Sequence, residues 1–383
     1  MIKFIILEVF NLYNINNQYM KDNRYCVIMA GGIGSRFWPL SRMKKPKQFL
    51  DILGTGRTLL EQTFNRIRNV IPVENIYIVT SNDYGNIVRG QIPEINEEQV
   101  MLEPKRCNTA PCIAYANYKI KKKCPDANIV VAPSDHIILK ENEFIDILNK
   151  GLEFVSMNDS LLTLGIQPSR PETGYGYIQI EGDKSTIKLN QSFRKVKTFT
   201  EKPDLKMAEI FMESGDFFWN SGIFFWSLRA IMHAFEKYLP EIDNLFNEGF
   251  DYYFTDKENE FIQKVYPRCR IISIDYGIME KADNVYVLCS DIGWSDLGTW
   301  GSLYEKLKKN KENNSISGKN VFVYDTKNCL INVPNDKLVV VQGLSDYILV
   351  ESDNMILICK KKDEQKIKRF VNDVRLEKGE DYM

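Results

Sequence analysis

Through the first two-thirds of this chain, short apolar, β-branched runs alternate with longer stretches whose apolar residues recur every three or four positions. YCVIMA (25–30), NIYIVTS (75–81), NIVVAPSD (128–135) and LLTLGI (161–166) have the length and branching of buried strands. Between them, TLLEQTFNRIRNVI (58–71) and TAPCIAYANYKIKKK (109–123) carry the spacing of amphipathic helices. Strands alternating with helices predict an α/β fold with right-handed crossovers and a parallel sheet covered on both faces. Ligands of such sheets lie beyond the carboxyl ends of the strands.

The last seventy or so residues change rhythm. CLI (329–331), LVVV (338–341), YILV (347–350) and MILI (355–358) follow one another at short, regular spacing, with Asn, Asp, Gly and Ser between them. That spacing predicts a small β-solenoid, with a plain antiparallel meander as the other reading. The polar stretch KNKENNSISGKN (309–320) is a natural boundary. The expected division is an N-terminal arm over 1–24, a catalytic domain over 25–308 and a β-domain over 316–383. FIILEVF, near the start, is short, interrupted by Glu8, and suits neither a membrane span nor a signal peptide. MKDNRYCVIMAGG opens like a domain, so translation is expected to start at Met20 unless the first residues form an ordinary arm.

Composition changes this picture little. Of 383 residues, 44% are hydrophobic and 26% charged, and fifty basic side chains balance fifty-one acidic ones. That balance gives no global reason to bind nucleic acid or a membrane surface. The eight cysteines form no CxxC pair and no zinc-ligand spacing with the two histidines. Reduced, buried thiols in a cytoplasm are the expectation.

The chemistry concentrates in AGGIGSRFWPLSR (30–42), directly after the first strand. Glycines without a Cβ let backbone N–H groups approach an anion, while Arg36, Arg42 and the Lys47 of PKQFL (46–50) supply charge. The loop is neither a Walker A sequence nor a complete dinucleotide fingerprint. A tight turn is the plain reading; a nucleoside triphosphate is the one that uses the charges.

GGIGSRFWPLSR followed by KPKQFL closely resembles the signature of the sugar-1-phosphate nucleotidylyltransferases, in particular their mannose-1-phosphate guanylyltransferase branch. EPKRCNTAP (103–111), PSDH (133–136), TGYGYI (173–178), FTEKP (199–203), WNSGIF (219–224) and GWSDLG (293–298) continue the resemblance in order. It implies a Rossmann-like mixed, mostly parallel sheet and a small C-terminal left-handed β-helix. Gly31, Gly32 and Gly34 are expected to cradle nucleotide phosphates, with Arg36 and Lys47 offsetting charge on the α-phosphate and leaving pyrophosphate. Glu103, Arg106, Asn108 and Thr109 are expected at the base and ribose, with Ser134 also on the nucleotide. Asn108 or Thr109 would also cap the following helix. Cys107 fills a variable slot.

Magnesium prefers hard oxygens and takes few from protein. The resemblance assigns it to Asp135, at a strand end, and Asp296. His136 is read as orienting or packing. Gly174, Glu201 and Asn220 are expected on the sugar, Lys202 on its phosphate, and Asp275 of DYGIMEKA (275–282) in an undecided role. Taken singly, each has a structural reading: a cap or turn for the aspartates, a surface ion pair for Glu201–Lys202, and backbone bonds within a bulge for Asn220.

The implied reaction joins GTP and mannose 1-phosphate to give GDP-mannose and pyrophosphate. The other readings are a nucleotidylyltransferase for another sugar 1-phosphate, a non-catalytic nucleotide-sugar sensor, and an interaction module built on the β-tail. A homodimer is expected, as is a single activity, since the chain ends at DYM without a cupin-like extension or histidine cluster.

Overall fold

A computed structural model gives the protein's structure and describes residues 23–32 and 34–383. The expectation for residues 1–22, whether arm or untranslated leader, lies outside the described residues. The strands of the first part are β1 (Arg24–Met29), β2 (Ile76–Ser81), β3 (Val100–Glu103), β4 (Asn128–Pro133), β5 (Ile137–Ile138), β6 (Leu161–Ile166), β7 (Gly176–Ile180), β8 (Phe193–Glu201), β9 (Phe217–Ser227), β10 (Val285–Ser290) and β11 (Trp294–Ser295).

Nine of them form one sheet in the order β3-β2-β1-β4-β9-β6-β10-β8-β7, with β7 also pairing β9. The β3-β2-β1-β4 half is parallel throughout. Into it comes β9, FFWNSGIFFWS, antiparallel to both β4 and β6, while β6 runs parallel to β10. The fold is therefore α/β with a mixed sheet. Apolar runs such as LLTLGI mark a strand buried on both faces, but they look the same in either direction. This is why the antiparallel insertion was not readable from pattern.

The helix Thr109–Lys123 departs from expectation. It is not amphipathic in effect: every residue from Ala110 to Ile120 is buried, Asn117 and Lys119 included. It packs between β1–β2 and the helices Leu228–Tyr238 and Pro240–Asn247, which cover the side that its polar residues would otherwise show to water. Lys119 is tolerated because its ammonium meets Glu258 Oε1 at 2.8 Å. The same carboxylate accepts from Tyr115 OH at 2.8 Å and from the Phe254 amide at 2.8 Å. A buried charge persists only when paired and hydrogen-bonded in this way.

In the tail, β12 (Ser315–Ser317), β13 (Asn320–Tyr324), β14 (Leu330–Asn332), β15 (Leu338–Gln342), β16 (Tyr347–Ser352) and β17 (Met355–Lys360) follow in sequence. β12, β14 and β16 pair in parallel in one sheet, and β13 and β15 pair in parallel in another. Successive strands thus alternate between two sheets, which is a coil and not a meander. Ile331, Val341 and Leu349 fill it. The polar residues of the gaps have a conformational purpose: Asp325, Asn328, Asp346 and Asp353 all take positive φ, which Asn and Asp tolerate best after glycine. MILI is not a further turn of the coil. It lies in β17, which folds back antiparallel on β16 and ends the parallel stacking.

The chain groups into two compact units that do not follow sequence order. Of the described residues, those up to Gly31 with Thr63–Ser134 and Ile138–Trp294 form the first, which holds the nine-stranded sheet. Gly32–Gln62, Asp135–Ile137 and Ser295–Met383 form the second. Its core joins Phe37, Trp38 and Leu59 to Trp300, Leu330, Ile348, Val350 and Ile367. All eight cysteines are free and, Cys124 apart, buried.

Candidate functional site

Three polar clusters coincide with the quoted motifs, one in the second unit and two in the first. In the second unit, the aromatics after the glycine loop are anchors. Phe37 lies 4.8 Å from the Trp300 ring, centroid to centroid. Trp38 Nε1 donates to Tyr382 O at 2.8 Å. Arg42 pairs with Asp353, in the β16–β17 turn, so its charge is committed within the unit. Gly34 has φ +67°, and a Cβ there would lie 2.9 Å from Lys47 Cβ. This position needs glycine both for its backbone and for its neighbour.

Lys47 is buried, with 6% of its surface exposed. Its ammonium donates to the carbonyls of Asp296 and Leu297, each at 2.8 Å, and stands 3.0 Å from Asp135 Oδ2. All three ammonium protons are therefore spent inside the unit. This differs from the expected direct grip on pyrophosphate: Lys47 charges and fixes the two aspartate segments. Burial raises the Asp135 carboxyl, but the Lys47 ammonium, with His136 behind it, outweighs that and holds it below the usual carboxylate range. Asp296 Oδ1 accepts from the Gly298 amide at 2.9 Å, and a Cβ at Gly298 would come within 2.6 Å of Asp296 Oδ2.

These residues suit a hard divalent cation. They present two carboxylates, one of them held ionised by a neighbouring cation, beside a glycine that leaves room. Among the described residues no group of three or more His, Cys, Asp or Glu is arranged to hold a metal alone. A metal completed by phosphate and water oxygens needs no such group.

The second cluster, in the first unit, follows β3. Glu103 is buried; Tyr266 OH donates to its Oε1, and Oε2 lies 3.1 Å from where a Cβ at Gly31 would be. Burial, only partly opposed by Tyr266 and Arg106, pushes its pKa to about 7. Arg106 donates to Tyr84 OH at 2.8 Å and lies over that ring. Asn108, at φ 71°, accepts from the Thr109 amide. Thr109 Oγ1 accepts from the Ile274 amide at 2.8 Å. Thr109 is thus engaged in fixing the helix start, whereas Arg106 and Asn108 are exposed. Ser134 is buried, its amide on Met29 O at 3.0 Å and its carbonyl under Thr63 Oγ1.

The third cluster, also in the first unit, gathers residues scattered over a hundred positions. Asn220 Nδ2 donates to Asp275 Oδ1 at 2.9 Å, and its Oδ1 accepts from Thr163 Oγ1 at 2.9 Å and from the Gly222 amide. The bulge bond expected of a structural amide is therefore present, but so is a carboxylate. Burial and then Glu201 raise Asp275 to about 6; the same two causes, in that order, raise Glu280. Lys202, exposed and at φ 51°, pairs with Glu201. Gly174 donates its amide to Glu172 Oε1 at 3.1 Å. The glycine that carries the close approach is Gly176, where a Cβ would fall 2.5 Å from Glu201 Oε2.

Sequence reasoning covered Gly176 only as one of the TGYGYI glycines and gave Tyr266 and Tyr84 no place. Gly176 sat inside a quoted motif and was legible in principle. The tyrosines carry no local signal at all.

Comparison with known proteins gives two matches that follow one another in sequence order. The nucleotidyl transferase family model matches residues 25–313, and a β-helix domain model of the mannose-phosphate isomerase and GMP-like kind matches 318–374. A mannose-1-phosphate guanylyltransferase 2 of Escherichia coli O157:H7 is 35% identical over 93% of this chain and 74% of its own length. The alginate biosynthesis protein AlgA of Pseudomonas syringae pv. tomato is 34% identical over 90% of this chain and 70% of its own. A crystal structure from Thermus thermophilus, described as a mannose-1-phosphate geranyltransferase, superposes with a TM-score of 0.81 at 28% identity. It spans 92% of this chain and 99% of that one.

Proposed function

This chain belongs to the nucleotidyl transferase family, and on that premise we propose that it makes GDP-mannose, taking the guanylyl group of GTP to mannose 1-phosphate and releasing pyrophosphate. An oxygen of the sugar phosphate attacks the α-phosphorus in line. The bond from that phosphorus to the bridging oxygen breaks, and its electron pair leaves with pyrophosphate. The nucleophile is already an anion, so no general base is required, and catalysis is positioning and charge neutralisation.

The observation that most directly supports the reading is the Lys47 ammonium bound to Asp135 and to the Asp296 and Leu297 carbonyls. A lysine placed so fixes the Asp135 carboxylate and the backbone that carries Asp296 without sharing its protons with substrate. Asp135 and Asp296 would hold a divalent metal, which we take to be magnesium, and the chemistry it would supply is neutralisation of phosphate charge. Gly31, Gly32 and Gly34 leave amides open to phosphates, and Arg36 adds a fixed charge. Glu103 takes donors from the base, with Arg106 and Asn108 beside it and Thr109 and Ser134 holding the backbone. Glu201 and Asn220 receive sugar hydroxyls, Gly174 and Gly176 let the ring approach the strand, and Lys202 meets the sugar phosphate.

The test is pyrophosphate release with mannose 1-phosphate and magnesium, run separately with GTP, ATP, UTP, CTP and dTTP. GTP alone should react, with GDP-mannose as product. Reaction with another nucleotide would overturn the base assignment and leave the chemistry; silence with all five and with other sugar phosphates would remove the enzyme reading.

A further inference from the structure

In the second unit, the helix Ile367–Lys378 packs against the Ser35–Phe37 turn of the glycine loop. Lys368, Asn372 and Arg375 recur at four and three residues and so share one helix face. That face lines a cleft of about 190 Å³ together with Trp38, Val371 and Met383. Arg42, Lys368 and Arg375 line it, Arg42 already paired with Asp353, and among the described residues no Asp or Glu side chain does. Arg36 Nε, from the loop, is buried without a hydrogen-bond partner. Among the described residues neither Arg36 nor Lys368 has an ion-pair partner.

The Arg36 guanidinium, and after it partial burial, hold the Lys368 ammonium below the ordinary lysine value. Two like charges held close without an acid cost stability unless an anion shares them. The plain alternative is a solvated basic helix face. It does not account for an arginine nitrogen, on the loop that this helix packs against, buried without a partner.

We propose that Lys368, from the C-terminal helix, forms with Arg36 a second cationic contact for the terminal phosphates of the nucleoside triphosphate, and so for pyrophosphate as it leaves. This rests on the nucleotidyl transfer reading above. It makes the tail a contributor to substrate binding and not only a structural appendage.

The test uses the full chain and measures two independent quantities. Calorimetric titration with inorganic pyrophosphate and magnesium gives affinity without turnover; steady-state kinetics give KM for GTP and for mannose 1-phosphate. Lys368→Gln should weaken pyrophosphate binding and raise KM for GTP, each by about tenfold, the scale of one charge-assisted hydrogen bond. KM for mannose 1-phosphate should not move, and Lys368→Arg should restore both losses. Arg375→Gln removes one charge from the same face and should shift either quantity by no more than about twofold if the contact is local.

Unchanged pyrophosphate affinity in Lys368→Gln, or equal losses in Lys368→Gln and Arg375→Gln, would overturn the proposal. Should the wild-type chain bind pyrophosphate through Lys368 and yet transfer no nucleotide, the functional reading falls and the anion site stands.

Discussion

At the scale of single residues, the chemistry of this chain is decided by what surrounds each charge. Asp135 is held ionised by Lys47, so its stabilising contribution is present above the pKa of an unfolded aspartate and is lost as pH falls through the lower folded value. Asp135→Asn and Asp296→Asn should each lower kcat by on the order of a hundredfold, the scale of one electrostatic element. Asp135→Asn should also lower the melting temperature, since Lys47 is then buried without its counter-charge. Near-wild-type turnover at saturating magnesium in either variant would show that these aspartates do not hold the metal. Glu103 has the opposite sign. Its folded pKa, about 7, lies above the unfolded value, so the native state binds the extra proton and loses stability as pH rises through that interval. Glu103→Gln removes the titration. Thermal melts of variant and wild type should therefore diverge in the variant's favour between about pH 4.5 and 8, by on the order of 3 kcal/mol; parallel curves would count against the shift. The motifs made Asp135 and Glu103 legible as residues. What they could not give was the partner: Lys47 and Asp296 are joined across most of the chain, and Tyr266 has no motif to mark it.

Elements were legible where the pattern is local and lost where it depends on neighbours. The helix Thr109–Lys123 was bounded correctly by its Asn–Thr start and its lysine-rich end, yet its burial depends on helices far along the chain. Its lysine is the point of weakness. Lys119→Met should cost about 3 kcal/mol in urea unfolding, because Glu258 is then left buried and charged; a loss below about 1 kcal/mol would mean that water reaches the site. The eight-to-nine-residue rhythm of the tail was real, but spacing alone does not separate a coil from a meander. Parallel pairing of β13 with β15 decides it, and the return of β17 shows where the rhythm stops having that meaning.

For the whole molecule, order along the chain and grouping in space differ. Gly32–Gln62 sits in one unit with the tail, and Phe37 and Trp38 share a core with Ile348, Val350 and Ile367. Deleting residues 316–383 should therefore do more than remove a β-coil. The remaining chain should expose Phe37 and Trp38, bind hydrophobic dyes, and lose turnover by more than about a hundredfold, as dye fluorescence and the pyrophosphate assay would read. A soluble fragment with wild-type rates would refute this. The division expected from the polar stretch at 309–320 is a boundary of sequence, and no hydrophobicity pattern could have revealed a core assembled from both ends. That common core also constrains descent. A substitution that enlarges or shrinks Trp38 or Phe37 has to be met by a matching change near Ile348 or Ile367, so lineages should alter the two stretches together. Hybrids spliced between relatives at the polar stretch should inherit mismatched halves unless the loop segment travels with the tail.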